Sequence, residues 1–168
     1  MIARSRAGSE VIGGVELDDD DDDDDVDLDR WTRLARAVLD DEGFIGELGL
    51  TFVDESAMAV LNADHMGEDR PTDVLAFPLD AAGDEVGGAP GELRLLGDVV
   101  VCPSVARRNA QERAIEPDDE LALLVVHGVL HVIGHDHAEP DEEALMQERE
   151  RHHLEHHHRS SNARPDSR

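Results

Sequence analysis

The chain has no lysine and no tyrosine, one cysteine, one tryptophan and three phenylalanines. A lone Cys102 excludes an internal disulfide and suits a reducing compartment, which predicts a cytoplasmic protein. No apolar run approaches the ~18–20 residues that a membrane helix needs, and the longest, Leu121 to Val126, is far shorter. Met1 to Gly14 carries two arginines but no continuous apolar stretch, so it does not read as a secretory signal. Basic charge is also scarce. Fifteen arginines face forty-one acidic residues, for a formal net charge of −26. A field of that sign repels polyanions and favours basic partners. Any work on nucleic acid therefore requires a local arginine patch or a bound cation.

What remains is enough for one domain. With 168 residues, 39% of them hydrophobic, the chain can bury a core but not two. Residues 1–29 read as an acidic, largely disordered arm. Asp18 to Asp25 are eight consecutive aspartates that repel one another and have nothing to bury, a solvated insertion between a short first strand, Glu10 to Leu17, and the first helix. The body spans residues 30–154, and residues 155–168 read as a flexible tail rich in histidine and arginine.

Within the body, Trp31, Leu34, Ala35, Val38 and Leu39 recur at spacings of three and four, an apolar helical stripe that Gly43 ends. Leu48 to Val53 alternates as a strand, Glu55 to Asp64 forms a short helix, and Thr72 to Leu79 is a second strand. Ala81 to Gly91, with four glycines and a proline, is a loop. Leu95 to Cys102 gives a valine-rich third strand. Pro103 and Pro117 each open a helix at the position where the missing N–H costs nothing. The second of these, through Ile133, is apolar almost all round and so is buried on most faces. A last helix runs from Asp141 to about Leu154. Strands and helices mix without strict alternation, which predicts an α+β domain with one small mixed sheet packed with helices.

The informative stretch is His127-Gly-Val-Leu-His131-Val-Ile-Gly134-His135-Asp136-His137. Residues four apart on a helix project from one face about 6 Å apart along the axis. His127 and His131 can therefore offer two imidazole nitrogens to one ion at the C-terminal end of the buried helix. Gly134 can adopt positive φ and end that helix, and His137 then swings back as a third ligand. Three histidines with an open fourth position describe a catalytic zinc site. The spacing overlaps that of HExxHxxGxxH zinc proteases, but Gly128 stands where those enzymes keep their general base.

HGVLHVIGHDH resembles the HGxLHLxGxDH signature of the YbeY family, the bacterial rRNA-maturation endoribonucleases. Pro71-Thr72-Asp73-Val74-Leu75-Ala76-Phe77-Pro78 is similar to that family's PTDVLSFP, Leu96-Gly97-Asp98-Val99 to its LGDI, and Leu61-Asn62 to the pair that precedes the PTDVL block. The resemblance implies one zinc ion per chain on His127, His131 and His137. It also implies single-strand-specific RNA cleavage in small-subunit rRNA 3′-end maturation, and ribosome quality control. Asp136 is a matched position that either orients a ligand imidazole or caps the turn after Gly134. His135 falls where the family varies. Many members carry an arginine where this chain has Met66.

No side-chain general base is evident, so zinc-bound water, or the ribose 2′-hydroxyl with the metal stabilising charge, carries the attack. Arg70, Arg107 and Arg108 are the candidate phosphate contacts, each with an ordinary solvated role as the alternative. Asp73 and Asp98 read as structural. His152, His153 and His156 to His158 read as a solvated tail able to chelate metal adventitiously. The expected partners are single-stranded RNA and the ribosome or its basic proteins, with no membrane and no DNA. Two other functions fit less well. One is a zincin-type peptidase or amidase that borrows Glu139 or Glu142 as its base. The other is a non-catalytic, zinc-containing ribosome assembly factor.

Overall fold

The fold is that of a computed structural model, which describes residues 9–17, 26–79, 94–135 and 139–158. Asp18–Asp25 and the glycine-rich 81–91 segment lie outside the described residues, as do Asp136 and His137.

Four strands form one mixed sheet in the order β1-β2-β4-β3. β1 (Glu10–Glu16) pairs parallel with β2 (Glu47–Val53), which pairs parallel with β4 (Leu95–Val101). β3 (Val74–Pro78) closes the other edge antiparallel to β4, with Val74 opposite Val101 and Pro78 opposite Gly97. The PTDVLAFP and LGDV motifs are thus the two partners of one strand pair. Pro78 sits at the end of an edge strand, where its missing donor breaks no ladder.

The alternation of β2 decides what covers each face. Leu48, Leu50 and Phe52 are fully buried and share a core with Val99 and Val101 of β4. Each contributes roughly 1.5–3 kcal/mol by leaving water. That face is covered by α1 (Leu28–Glu42), through Trp31, Leu34, Ala35, Val38 and Leu39, and by α4 (Pro117–Val132). The opposite face carries Leu75 and Val100 and is covered by α2 (Glu55–Met66) through Met58. The N-terminal residues of α3 (Pro103–Arg113) add Val105 to this second cluster. α5 (Pro140–His153) lies against α4 and contributes Met146 to the main core.

Local chemistry explains the boundaries. Asp27 caps α1 by accepting from the Arg30 N–H, and Asp54 caps α2 by accepting from the Ala57 N–H. α1 ends at Gly43 with φ of 82°, its N–H donating to the Asp40 carbonyl. These elements match the expected α+β domain with its small mixed sheet.

Glu10–Glu16 is the expected short first strand, in full register with β2. At the other end, α5 continues into a π-helical turn, η1 (Leu154–His158). His158 there is buried, stacks on Trp31 with ring centroids 6.2 Å apart, and meets Asp119 Oδ1 at 2.9 Å. His153 is wholly buried. A histidine-rich composition reads as solvated, but an imidazole has flat apolar faces that pack, as the His158 ring does on Trp31.

Candidate metal centre

α4 begins with Pro117 and places Asp118, Asp119 and Glu120 in its first turn, where negative charge suits the helix dipole. Its end is closed by Gly134 at φ of 115°, with the Gly134 N–H donating to the His131 carbonyl and the His135 N–H to that of Leu130. Between those limits α4 presses onto β4 so closely that a Cβ at Gly128 would meet Val99 Cγ1 at 2.5 Å. A glutamate cannot stand there unless the helix or Val99 shifts. Gly97 is tight chiefly against β3, since its Cβ would meet the Phe77 carbonyl at 2.5 Å, with Val132 of α4 at 3.0 Å.

On this helix His127 and His131 are half-buried and one turn apart, their rings edge to face with centroids 4.7 Å apart. His127 Nδ1 lies 2.6 Å from Glu150 Oε2 on α5. The carboxylate accepts the Nδ1 proton, which makes Nε2 the nitrogen with a lone pair for a cation and fixes the ring's orientation. Two imidazoles so placed, one already oriented by a carboxylate, suit a divalent transition metal. Asp136 and His137 lie outside the described residues. His135 turns toward α1, with Nε2 3.9 Å from Glu42 Oε1.

Glu150 escaped the sequence reading. It stands twenty-three positions beyond His127 on an acidic helix, and only its place one turn after the buried Met146 hints at an inward role.

The arginine candidates lie on two different elements. Arg70 follows the α2 cap and pairs with Glu68 at 3.0 Å in an exposed ion pair. Arg107 is half-buried on α3. Its neighbour Arg108 reaches Glu55 Oε2 at 2.7 Å. The Ser104 hydroxyl also donates to Glu55, and these hydrogen bonds from Ser104 and Arg108 hold the Glu55 carboxyl below its ordinary range. Met66 ends α2 and is largely exposed.

Several motif residues do structural work. The buried Asn62 donates to the Arg70 carbonyl at 2.8 Å and so pins the chain before β3. Asp73 accepts from Asn109 Nδ2 at 3.1 Å, and its carbonyl accepts from the Cys102 N–H. The Asp98 carboxylate lies over Gly49, leaving no room for a Cβ there. Burial pushes the Cys102 thiol up, which removes it as a nucleophile. Glu142 accepts from the Glu139 N–H in a capping box at the start of α5. Both candidate peptidase bases are thereby committed to the helix terminus.

A second group of donors stands beside this site. Among the described residues, Asp41, His153 and His157 bring three potential ligand atoms within 4.8 Å of one another.

Residues 16–158 match the sequence profile of the family described as Endoribonuclease YbeY. This chain belongs to that family. The Endoribonuclease YbeY of Thermobifida fusca is 46% identical over 122 residues, covering 71% of this chain and 79% of its own length. That of Salinispora tropica is 48% identical over 128 residues, covering 72% and 82%. The solution structure of TM1509 from Thermotoga maritima superposes with a TM-score of 0.60 at 26% identity, over 94% of this chain and 96% of that one. Membership in the YbeY family places the chain among metal-dependent nuclease hydrolases, as the motifs imply, and RNA as its substrate follows. No helix among the described residues is long and apolar enough to cross a membrane.

Proposed function

We propose that this chain is a zinc-dependent, single-strand-specific endoribonuclease that matures the 3′ end of small-subunit rRNA in the cytoplasm and takes part in ribosome quality control. The observation that carries this reading is the His127–His131 pair on α4 with Glu150 on His127 Nδ1, in a chain of the YbeY family. His127, His131 and His137 hold one zinc ion, and Asp136 orients a ligand ring or closes the turn. When bound, zinc supplies a Lewis acid beside the scissile phosphate.

The chain's own residues do the rest. Glu150 keeps the His127 ring aimed and its Nδ1 protonated. Gly128 lets α4 sit against the sheet, so that the histidines hang from a rigid element. Arg70 is the most available phosphate contact, because its exposed pair with Glu68 is worth only about 0–1 kcal/mol and yields readily to a phosphate. Arg107 and Arg108 extend the contact along α3, with Arg108 first having to leave Glu55. The strongly acidic surface suits docking against basic ribosomal proteins. The peptidase reading loses its base, since Gly128 has no room for one and the Glu139–Glu142 pair caps α5.

The test is purified full-length chain incubated with short single-stranded RNA, the same RNA in duplex, and casein. Cleavage of the single strand alone is expected, with His127→Ala losing it by at least a hundredfold. Wild-type rates in that variant would remove the assignment.

A further inference from the structure

We infer that Asp41, His153 and His157 form a second divalent transition-metal site, which clasps α5 and its π-turn onto the C-terminal end of α1. The inference is independent of the nuclease reading, because the two sites share no ligand.

The argument begins at His153. Its side chain is fully buried, and Nε2 lies 2.6 Å from Glu42 Oε2, a distance that places the ring proton on Nε2 and leaves the lone pair on Nδ1. Nδ1 is buried without a hydrogen-bond partner. Asp41 Oδ2 lies 3.5 Å from it. A lone pair facing a carboxylate oxygen in a buried place is unfavourable unless something positive lies between them. His157 Nε2 reaches the same Asp41 oxygen at 3.1 Å, and the two imidazoles stack with centroids 5.5 Å apart. A cation among these three atoms turns an unsatisfied arrangement into a satisfied one.

The surroundings repeat the device seen at the first site. There Glu150 holds His127 by Nδ1 and turns Nε2 outward. Here Glu42 holds His153 by Nε2 and turns Nδ1 toward Asp41. Glu42 is itself held by Arg149 at 2.8 Å, so the orienting carboxylate is fixed in turn. Two imidazoles and one carboxylate select zinc and its neighbours over magnesium or calcium, which prefer oxygen. Asp41 and His157 are partly exposed, which gives the ion a way in.

Full-length protein, stripped with chelator and dialysed against limiting zinc, should retain two equivalents by elemental analysis. Asp41→Asn and His157→Ala should each retain one, and His127→Ala should also retain one, by loss of the other site. Cobalt as a spectroscopic probe should show two sets of bands in the wild type and one in His157→Ala. Asp41 and His157 lie near the surface, so these variants leave the buried His153 in place, and circular dichroism checks that they fold. The control is His156→Ala, which removes a neighbouring imidazole that meets the His152 carbonyl and none of the proposed ligand atoms, and should keep two equivalents; His152 is left in place because its Nε2 lies 2.7 Å from Asp41 Oδ2. One equivalent in the wild type that His157→Ala keeps, or a second equivalent lost in the control and kept in His157→Ala, would mean adventitious tail chelation only and overturn the site. Failure of the first site reads differently, as His127→Ala without effect on stoichiometry.

Discussion

A carboxylate that accepts the proton of one imidazole nitrogen makes the other a better and better-aimed ligand. Glu150 stands in that relation to His127, and its side chain is largely shielded from water. Glu150→Gln keeps the shape and a hydrogen-bonding group but removes the charge. It should weaken zinc binding at the first site by about 10–100-fold, read by chelator competition in a His157→Ala background. An unchanged affinity would reduce Glu150 to a tie between α4 and α5. The histidine pair was legible in the sequence because a spacing of four acts within one helix, whatever the rest of the fold does. The Glu150 contact was not, because nothing local brings position 150 to position 127. The same holds for Asp41 and His153, which meet only after α5 docks on α1.

At the scale of the elements, the approach of α4 to β4 sets where the histidines hang. Gly128→Ala adds a methyl 2.5 Å from Val99 Cγ1, so helix or strand must shift. The expected cost is about 1–3 kcal/mol, by overpacking. Val99→Ala opens space on the facing side and should recover much of that loss in the double variant. Urea unfolding of the four proteins closes the cycle; additive losses would mean that the methyl is accommodated elsewhere. Most elements could be read in advance because each carries its own punctuation: Pro103 and Pro117 at helix starts, Gly43 and Gly134 at ends. The π-turn had no such mark. Its histidines carry the composition of a solvated tail, and their burial depends on Trp31 and Asp119, far away in sequence. Strand order was equally hidden, because β4 enters between β2 and β3 by tertiary pairing and not by any local signal.

For the whole molecule the deciding quantity is charge. A formal −26 opposes the approach of RNA to a site that must bind phosphate, so long-range repulsion and short-range attraction act in opposite senses. Salt separates them by reach. The screening length is about 20 Å or more near 20 mM salt and about 8 Å at 150 mM. Moderate salt therefore removes repulsion from distant acids while leaving contacts at the metal and at Arg70 largely intact. kcat/KM on a short single-stranded RNA should rise several-fold between those two concentrations, then fall at higher salt as phosphate contacts lose their counterion-release advantage. Replacing the eight aspartates of Asp18–Asp25 with serine takes the formal charge from −26 to −18. That variant should start faster at low salt and show a flatter rise, with the high-salt limb unchanged. If instead both proteins slow monotonically from the lowest salt with one common slope, encounter is governed by a local arginine patch and the aspartate run has no part in it.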